Sequence, residues 1–178
     1  MKFKAPAFLI ALALTAPLAL SAQADAPALP AAATADQATT SKLVYGLLSD
    51  SRYAYRPKVL DEAMSKDVFK RYLESLDAGK QFFTQADVSK FAPFEANIAE
   101  AIRGGQLEPA FQVFAVYRQR VAQRVGHARA LLKQEPDFST DERFEYDRKD
   151  VPWPGSDAEL DELWRKSVKN DWLRLKLA

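Results

Sequence analysis

One stretch restricts the fold more than any other. Glu108 to Gln134 carries no proline after Pro109, which is suited to the first turn of a helix, and Pro136 lies just past its end. As one α-helix it would be roughly 40 Å long at 1.5 Å per residue. A turn of about 100° per residue gathers Phe111, Phe114, Tyr117, Val121, Val125, Ala128 and Leu132 on one face. The opposite side holds Ala115, Ala122, Gly126 and Ala130 with Gln112, Gln119, Gln123 and His127. Small neutral residues permit close backbone approach, so this helix is expected to be packed on both sides, as the central spine of a mainly α domain.

The rest of the chain is punctuated for further helices. Asp36 to Leu48 reads as a first helix with Leu43, Val44, Leu47 and Leu48 to one side, and residues 49–58 as a connector. A second begins at Ser65 as N-cap, with Met64 and Phe69 at the staple positions and Val68, Tyr72, Leu73 and Leu76 completing its apolar face; Gly79 ends it. Thr84 opens a third, with Asp87 at the capping-box position and Phe83 placed against Val88. Phe94 to Arg103 forms another short helix, closed by Gly104 and Gly105. Residues 137–155 break the pattern: Phe144 and Tyr146 alternate with charges, and Pro152-Trp153-Pro154 is stiff and extended, so a short strand or hairpin arm is expected. Ser156 with Glu159 is a second capping box, launching a last helix through Leu160, Leu163, Trp164, Val168 and Trp172.

At 178 residues, 48% hydrophobic and 28% charged, the chain suits one globular domain. Its first residues read as an export signal. Lys2 and Lys4 make the basic start, Ala7 to Leu20 is apolar, and Ala22-Gln23-Ala24 is a small–x–small cleavage site. The apolar run is too short to favour a spanning helix, and with no cysteine present a lipoprotein anchor is excluded. Cleavage after Ala24 predicts a periplasmic protein whose residues 25–35 form a mobile leader and whose residues 36–178 form the domain. It also takes the formal net charge from +1 to −1, which leaves no electrostatic footprint for nucleic acid.

Composition also narrows the chemistry. Without cysteine and with His127 as the sole histidine, Cys/His pairs and zinc or non-haem iron sites lack their usual ligands. A Ser–His–Asp triad would need His127, which sits mid-helix with no nucleophile-elbow motif nearby. No phosphate loop or dinucleotide fingerprint occurs. Paired carboxylates are the remaining acid/base option, but acids on helices are mostly solvated faces. Arg118 and Arg129 flank one edge of the long helix's apolar face and Arg120 and Arg124 the other, as two rims with wet heads rather than one phosphate-binding stripe. Asp171 projects into the last helix's apolar sector, either paired with a neighbouring cation or facing a segment beyond Ala178. No catalytic, cofactor-binding or metal-binding residue is assigned, and no cofactor.

Taken in order, several runs resemble the N-terminal region of the tail-specific proteases within the C-terminal processing peptidase family. They are Phe69-Lys70-Arg71-Tyr72-Leu73-Glu74-Ser75-Leu76-Asp77, Phe82 to Phe91, Tyr146-Asp147-Arg148, Pro152-Trp153-Pro154, Leu163-Trp164 and the terminal Asp171-x-Leu173-x-Leu175-Lys176-Leu177. The resemblance covers roughly Lys42 to the end. It implies the helical region of a periplasmic serine endopeptidase with a serine–lysine dyad and a PDZ domain that engages apolar C-termini of substrates. This sequence has no position matching the PDZ segment or the dyad, and Ser41, Ser65 and Ser75 fall in the helical region. The expected partners are the rest of a parent protease and, beyond it, protein substrates or adaptors. The alternative is a free-standing periplasmic helical adaptor; an independent carboxylate hydrolase is a third reading.

The last turn sharpens that expectation. Leu160, Leu163, Trp164, Val168 and Leu175 share a broad face, while Leu173 and Leu177 point the other way. With no closing glycine, proline or polar tail, the end reads as a buried segment of a larger protein. Leu173, Leu175 and Leu177 also alternate with Arg174 and Lys176, which keeps a short strand open.

Overall fold

A computed structural model describes residues 30–178. The expected signal sequence and most of the expected leader fall outside the described residues. Within them the chain is all helical: α1 (Ala35–Ser49), α2 (Glu62–Leu76), α3 (Gln85–Glu95), α4 (Ile98–Gly104), α5 (Glu108–Leu131) and α6 (Asp157–Leu177). The core is built where α2, α3, α4 and α5 meet, from Phe69, Leu73, Phe83, Phe91, Ile98 and Val113. Phe83 is wholly enclosed, with the rings of Phe91, Tyr117 and Trp153 at 5.5, 5.8 and 5.9 Å. Edge-on and tilted contacts of this kind add to simple burial.

Several helix starts form as their residues dictate. Thr34 accepts from the Gln37 N–H at 3.2 Å while the Gln37 side chain accepts from the Thr34 N–H at 2.9 Å. Thr84 and Asp87 make the same reciprocal box at the head of α3. At α6 half a box forms: Ser156 accepts from Glu159 N–H, but the Glu159 carboxylate reaches back to Gly155 N–H instead. Gly105 ends α4 in the left-handed region at φ 68, and a Cβ there would stand 2.7 Å from Lys42 Cε and 2.8 Å from the Ala38 carbonyl oxygen. Glycine is therefore required twice over, for the turn and for the approach of α1.

Elsewhere the structure corrects the reading. Asp61, not Ser65, caps α2, accepting from Met64 N–H at 2.8 Å. Ser65 is inside the helix and fully buried, where its Oγ accepts from Ala99 N–H at 2.8 Å. It thus serves the first turn of α4, whose own N-cap residue Asn97 makes no side-chain cap. Met64 and Phe69 accordingly lie within α2 rather than stapling its entry. At the far end Asp77 follows the last turn, and its carboxylate accepts from the N–H groups of Gln81, Phe82 and Phe83. That acceptor turns the chain into α3, with Lys80 rather than Gly79 in the left-handed region at φ 51. The helix expected from Phe94 is divided, since α3 runs through Pro93 to Glu95 and α4 starts at Ile98.

The largest differences concern α5 and the arm after it. α5 stops at Leu131, and its small-residue side is exposed at Ala115, Ala122, Gly126 and Ala130, so the described residues pack it on one side only. Its buried seam is turned toward Val113, Tyr117, Arg120 and Arg124, leaving Val125 and Leu132 largely exposed. Residues 137–155 hold no strand; the segment has no ladder partner and is tied by side chains and by one backbone bond, Gln85 N–H to the Pro154 carbonyl at 2.8 Å. Lys80 Nζ donates to the carbonyls of Lys149 and Val151, Arg148 to that of Gly79, and Trp153 enters the core. The last residues are helical through Leu177, which removes the strand alternative.

Candidate functional site

The strongest polar constellation is a seam joining α3, α5 and α6. Arg120 grips Asp87 with two donors, Nε at 2.8 Å and Nη2 at 3.0 Å, and sends Nη1 to Asp157 at 2.7 Å. One turn on, Arg124 pairs with Asp161, whose carboxylate lies 3.8 Å from His127 Nδ1. The Arg120 and Arg124 side chains are only 16% and 8% exposed, so these heads are buried and paired rather than wet rims. Arg118 and Arg129 on the other edge are exposed. Burial alone would raise the Asp87 carboxyl, but the Arg120 guanidinium and the Thr84 donors outweigh it and hold it below its ordinary value. The Asp87 hydrogen bonds raise Arg120 in turn, against its burial. Bidentate geometry and satisfied oxygens are the conditions under which a buried pair holds.

A second cluster straps the arm to α6. Glu142 accepts from Lys169 Nζ at 2.6 Å and pairs with Arg165, which also binds Glu162. Hydrogen bonds from Arg165 and then Lys169 lower the Glu142 carboxyl to about 2. Lys169 also donates to Thr140 Oγ1 at 3.3 Å. Trp164 Nε1 donates to the Gln81 carbonyl at 2.6 Å, tying α6 to the turn organised by Asp77.

The serine hydroxyls are committed to structure as well. Ser41 donates to the Ile102 carbonyl at 2.8 Å, Ser75 to that of Tyr72 at 2.7 Å, and Ser65 holds Ala99 N–H. His127 Nε2 is buried without a partner, so no serine stands in hydrogen-bonding reach of that nitrogen. Among the described residues no group of three or more potential ligands could hold a metal ion, and no helix is long and apolar enough to cross a membrane.

What remains open to a partner is apolar surface. Near the end of α5 and α6, Leu132, Val168, Asp171, Trp172, Leu175 and Lys176 line a groove of about 530 Å³. Leu132 is 53% and Leu175 81% exposed. Asp171 belongs to this rim and is itself 61% exposed, 3.9 Å from Arg174, so it is not enclosed by the helix's apolar sector. Leu173 and Leu177 are exposed beside it. The second surface is α1, which sits on α4 through Ser41 and Tyr45, the latter beneath the Arg103 guanidinium at 5.2 Å. Its apolar residues Leu43, Val44, Leu47 and Leu48 face outward, followed by exposed Tyr53 and Tyr55. Exposed apolar faces of this kind are candidate docking surfaces.

Sequence patterning missed the ion-paired seam because it assigns arginine to rims by default. The spacing of Asp87, Asp157 and Asp161 against Arg120 and Arg124 becomes a signal only once the helices are paired. Asp77 was missed for a different reason: it acts on the turn after its helix, which helix punctuation does not examine.

The family described as the tail specific protease N-terminal domain matches residues 47–178. A tail-specific protease of Haemophilus influenzae is 33% identical over 124 residues, covering 69% of this chain and 18% of that relative. The chain therefore spans under a fifth of the length of the curated relative it matches. These two matches agree with the resemblance carried by the six runs quoted above, and the chain belongs to the tail-specific protease family through its N-terminal domain.

Proposed function

We propose that this chain is the helical N-terminal domain of a periplasmic serine endopeptidase that processes or degrades proteins from apolar C-termini. In this reading it supports the protease body and shapes access for substrates, and bond cleavage belongs to other parts of the parent, where a serine–lysine dyad and a PDZ domain are expected. One observation carries it. Buried Ser65 serves a helix end and Asp87 an ion pair with Arg120, while exposed apolar faces suited to docking remain on α1 and at the end of α6. Export rests on the Met1–Ala24 segment, with its basic start, apolar run and small-residue cleavage site.

The test is direct. The reading frame containing these codons should encode PDZ and protease sequence, and fractionation of cells expressing it should recover the product in the periplasm with Asp25 as first residue. A frame encoding no protease would overturn the parentage, and recovery in the cytosol at precursor mass would overturn export.

A further inference from the structure

Resting on that reading, we propose that residues 141–147 of the arm capture unfolded protein substrates by strand addition, taking a neutral or basic extended segment along their backbone. From Asp141 to Glu145 the chain runs without helix, turn or bend. Its side chains alternate all the same. Glu142 pairs with Arg165 and Lys169, Phe144 lines a small pocket with Lys166, Asn170 and Leu173, and the Tyr146 hydroxyl meets Asn170. Every second residue is thus laid on α6. Between them Asp141, Arg143, Glu145 and Asp147 are exposed, with no hydrogen bond or ion pair to α6. A period of two is that of an extended strand.

What this segment lacks is a neighbour. None of the backbone N–H or carbonyl groups of residues 141–147 has a hydrogen-bond partner among the described residues. An extended backbone with unpaired edges is a template for another chain, held by main-chain bonds and by pockets for alternate side chains. Such a pocket lies alongside. Phe144, Val151, Trp153 and Leu163 are the apolar part of the lining of a cavity of about 370 Å³. Charge narrows the occupant. Residues 141–147 carry four carboxylates and one guanidinium, so pairing the arms of two copies would bring like net charges together. An acidic segment is opposed in the same way, whereas a neutral or basic one is not. Recognition through the backbone suits an enzyme that must hold unfolded chains of varied sequence.

Hydrogen exchange on the full-length polypeptide tests this, in pulses of seconds with and without reduced, carbamidomethylated pancreatic ribonuclease, a basic chain held unfolded. Amides of residues 141–147 are expected to exchange freely alone and, at alternate residues, about tenfold more slowly with the unfolded protein bound. Proline then goes on the edge that the slowed amides mark, as Glu145→Pro or Tyr146→Pro, each beside its alanine counterpart. It should raise KM for the unfolded protein about fivefold over alanine through loss of one ladder bond, with the effect in KM rather than kcat. Equal KM for the proline and alanine variants would overturn the proposal. So would amides unchanged by an unfolded protein that is being cleaved, a result that leaves the protease reading intact. Amides already slow without substrate, or slowed by raising the concentration of the polypeptide alone, would also overturn it, by showing the edge filled from within the parent or by a second copy. If the full-length polypeptide cleaves no unfolded protein, the protease reading fails, and with it the assignment of the occupant as a substrate.

Discussion

Replacing Arg120 by methionine keeps much of the aliphatic stem and removes the guanidinium that joins three helices. Its two carboxylate partners differ sharply in environment. The Asp87 side chain is 5% exposed, whereas that of Asp157 is 64% exposed. Losing the contact to Asp157 should cost at most about 1 kcal/mol, as for other solvated pairs. Losing the contact to Asp87 leaves a buried carboxylate with only the Thr84 donors, a situation that costs about 3–5 kcal/mol. Urea denaturation at pH 7 should therefore show Arg120→Met destabilised by about 3 kcal/mol or more, and Asp157→Ala by about 1 kcal/mol or less. The pH dependence supplies a sign. In the native protein the Asp87 carboxyl is lowered, so its contribution is present above the unfolded value of about 3.9 and is lost as pH falls through the folded value. Without Arg120 that carboxyl loses its largest lowering partner and rises from its native value, so the penalty of the variant should shrink on acidification as the carboxyl protonates. A loss under about 1 kcal/mol at pH 7, or a penalty that grows on acidification, would refute the claim that the seam is a buried, mutually dependent charge cluster.

Other outcomes follow from the same geometry. Gly105→Ala combines a positive φ with a Cβ 2.8 Å from the Ala38 carbonyl, so α1 should loosen from α4 and its amides exchange faster, while core amides in α2 stay protected; equal α1 exchange would contradict this. Ser65→Ala strands the buried Ala99 N–H and should cost about 1–3 kcal/mol in chemical denaturation, against no measurable loss if Ser65 were a dispensable cap. Glu142 is lowered to about 2, so its hold on the arm is complete above the unfolded value of about 4.3 and lost as pH falls toward about 2. A carboxyl-carbon NMR titration with its midpoint near 4 would show that Arg165 and Lys169 do not strap the arm.

How much was legible in the sequence depended on whether a signal was local. Thr84 with Asp87, Ser156 and Gly105 each act on residues within one turn, and the structure uses them as their spacing implies. Ser65 misled because serine before an apolar run looks like a cap, while Asp61 stood one turn earlier and continued helix followed it. Hydrophobic periodicity pointed α5 toward Val125 and Leu132, but α6 docks on it through Asp157 and Asp161, so the true seam includes two arginines. No single-helix pattern contains that information, since the charges that neutralise Arg120 and Arg124 come from helices distant in sequence. The strand option for the arm failed for the converse reason: alternation suggested a strand, but the segment has no strand to pair with and stays an irregular arm between α5 and α6. The apolar end of α6 was readable as a surface needing cover, and Leu175 and Leu177 stand exposed there.

The claim at the centre of this account is that the domain carries structure and docking while cleavage resides elsewhere in the parent. It is tested most directly by incubating an unfolded reporter with an apolar C-terminus beside this purified chain and beside the full-length polypeptide, with intact mass read over time. Cleavage is expected from the full-length polypeptide, and an unchanged reporter with the 178-residue chain. Robust cleavage by the chain alone would contradict it.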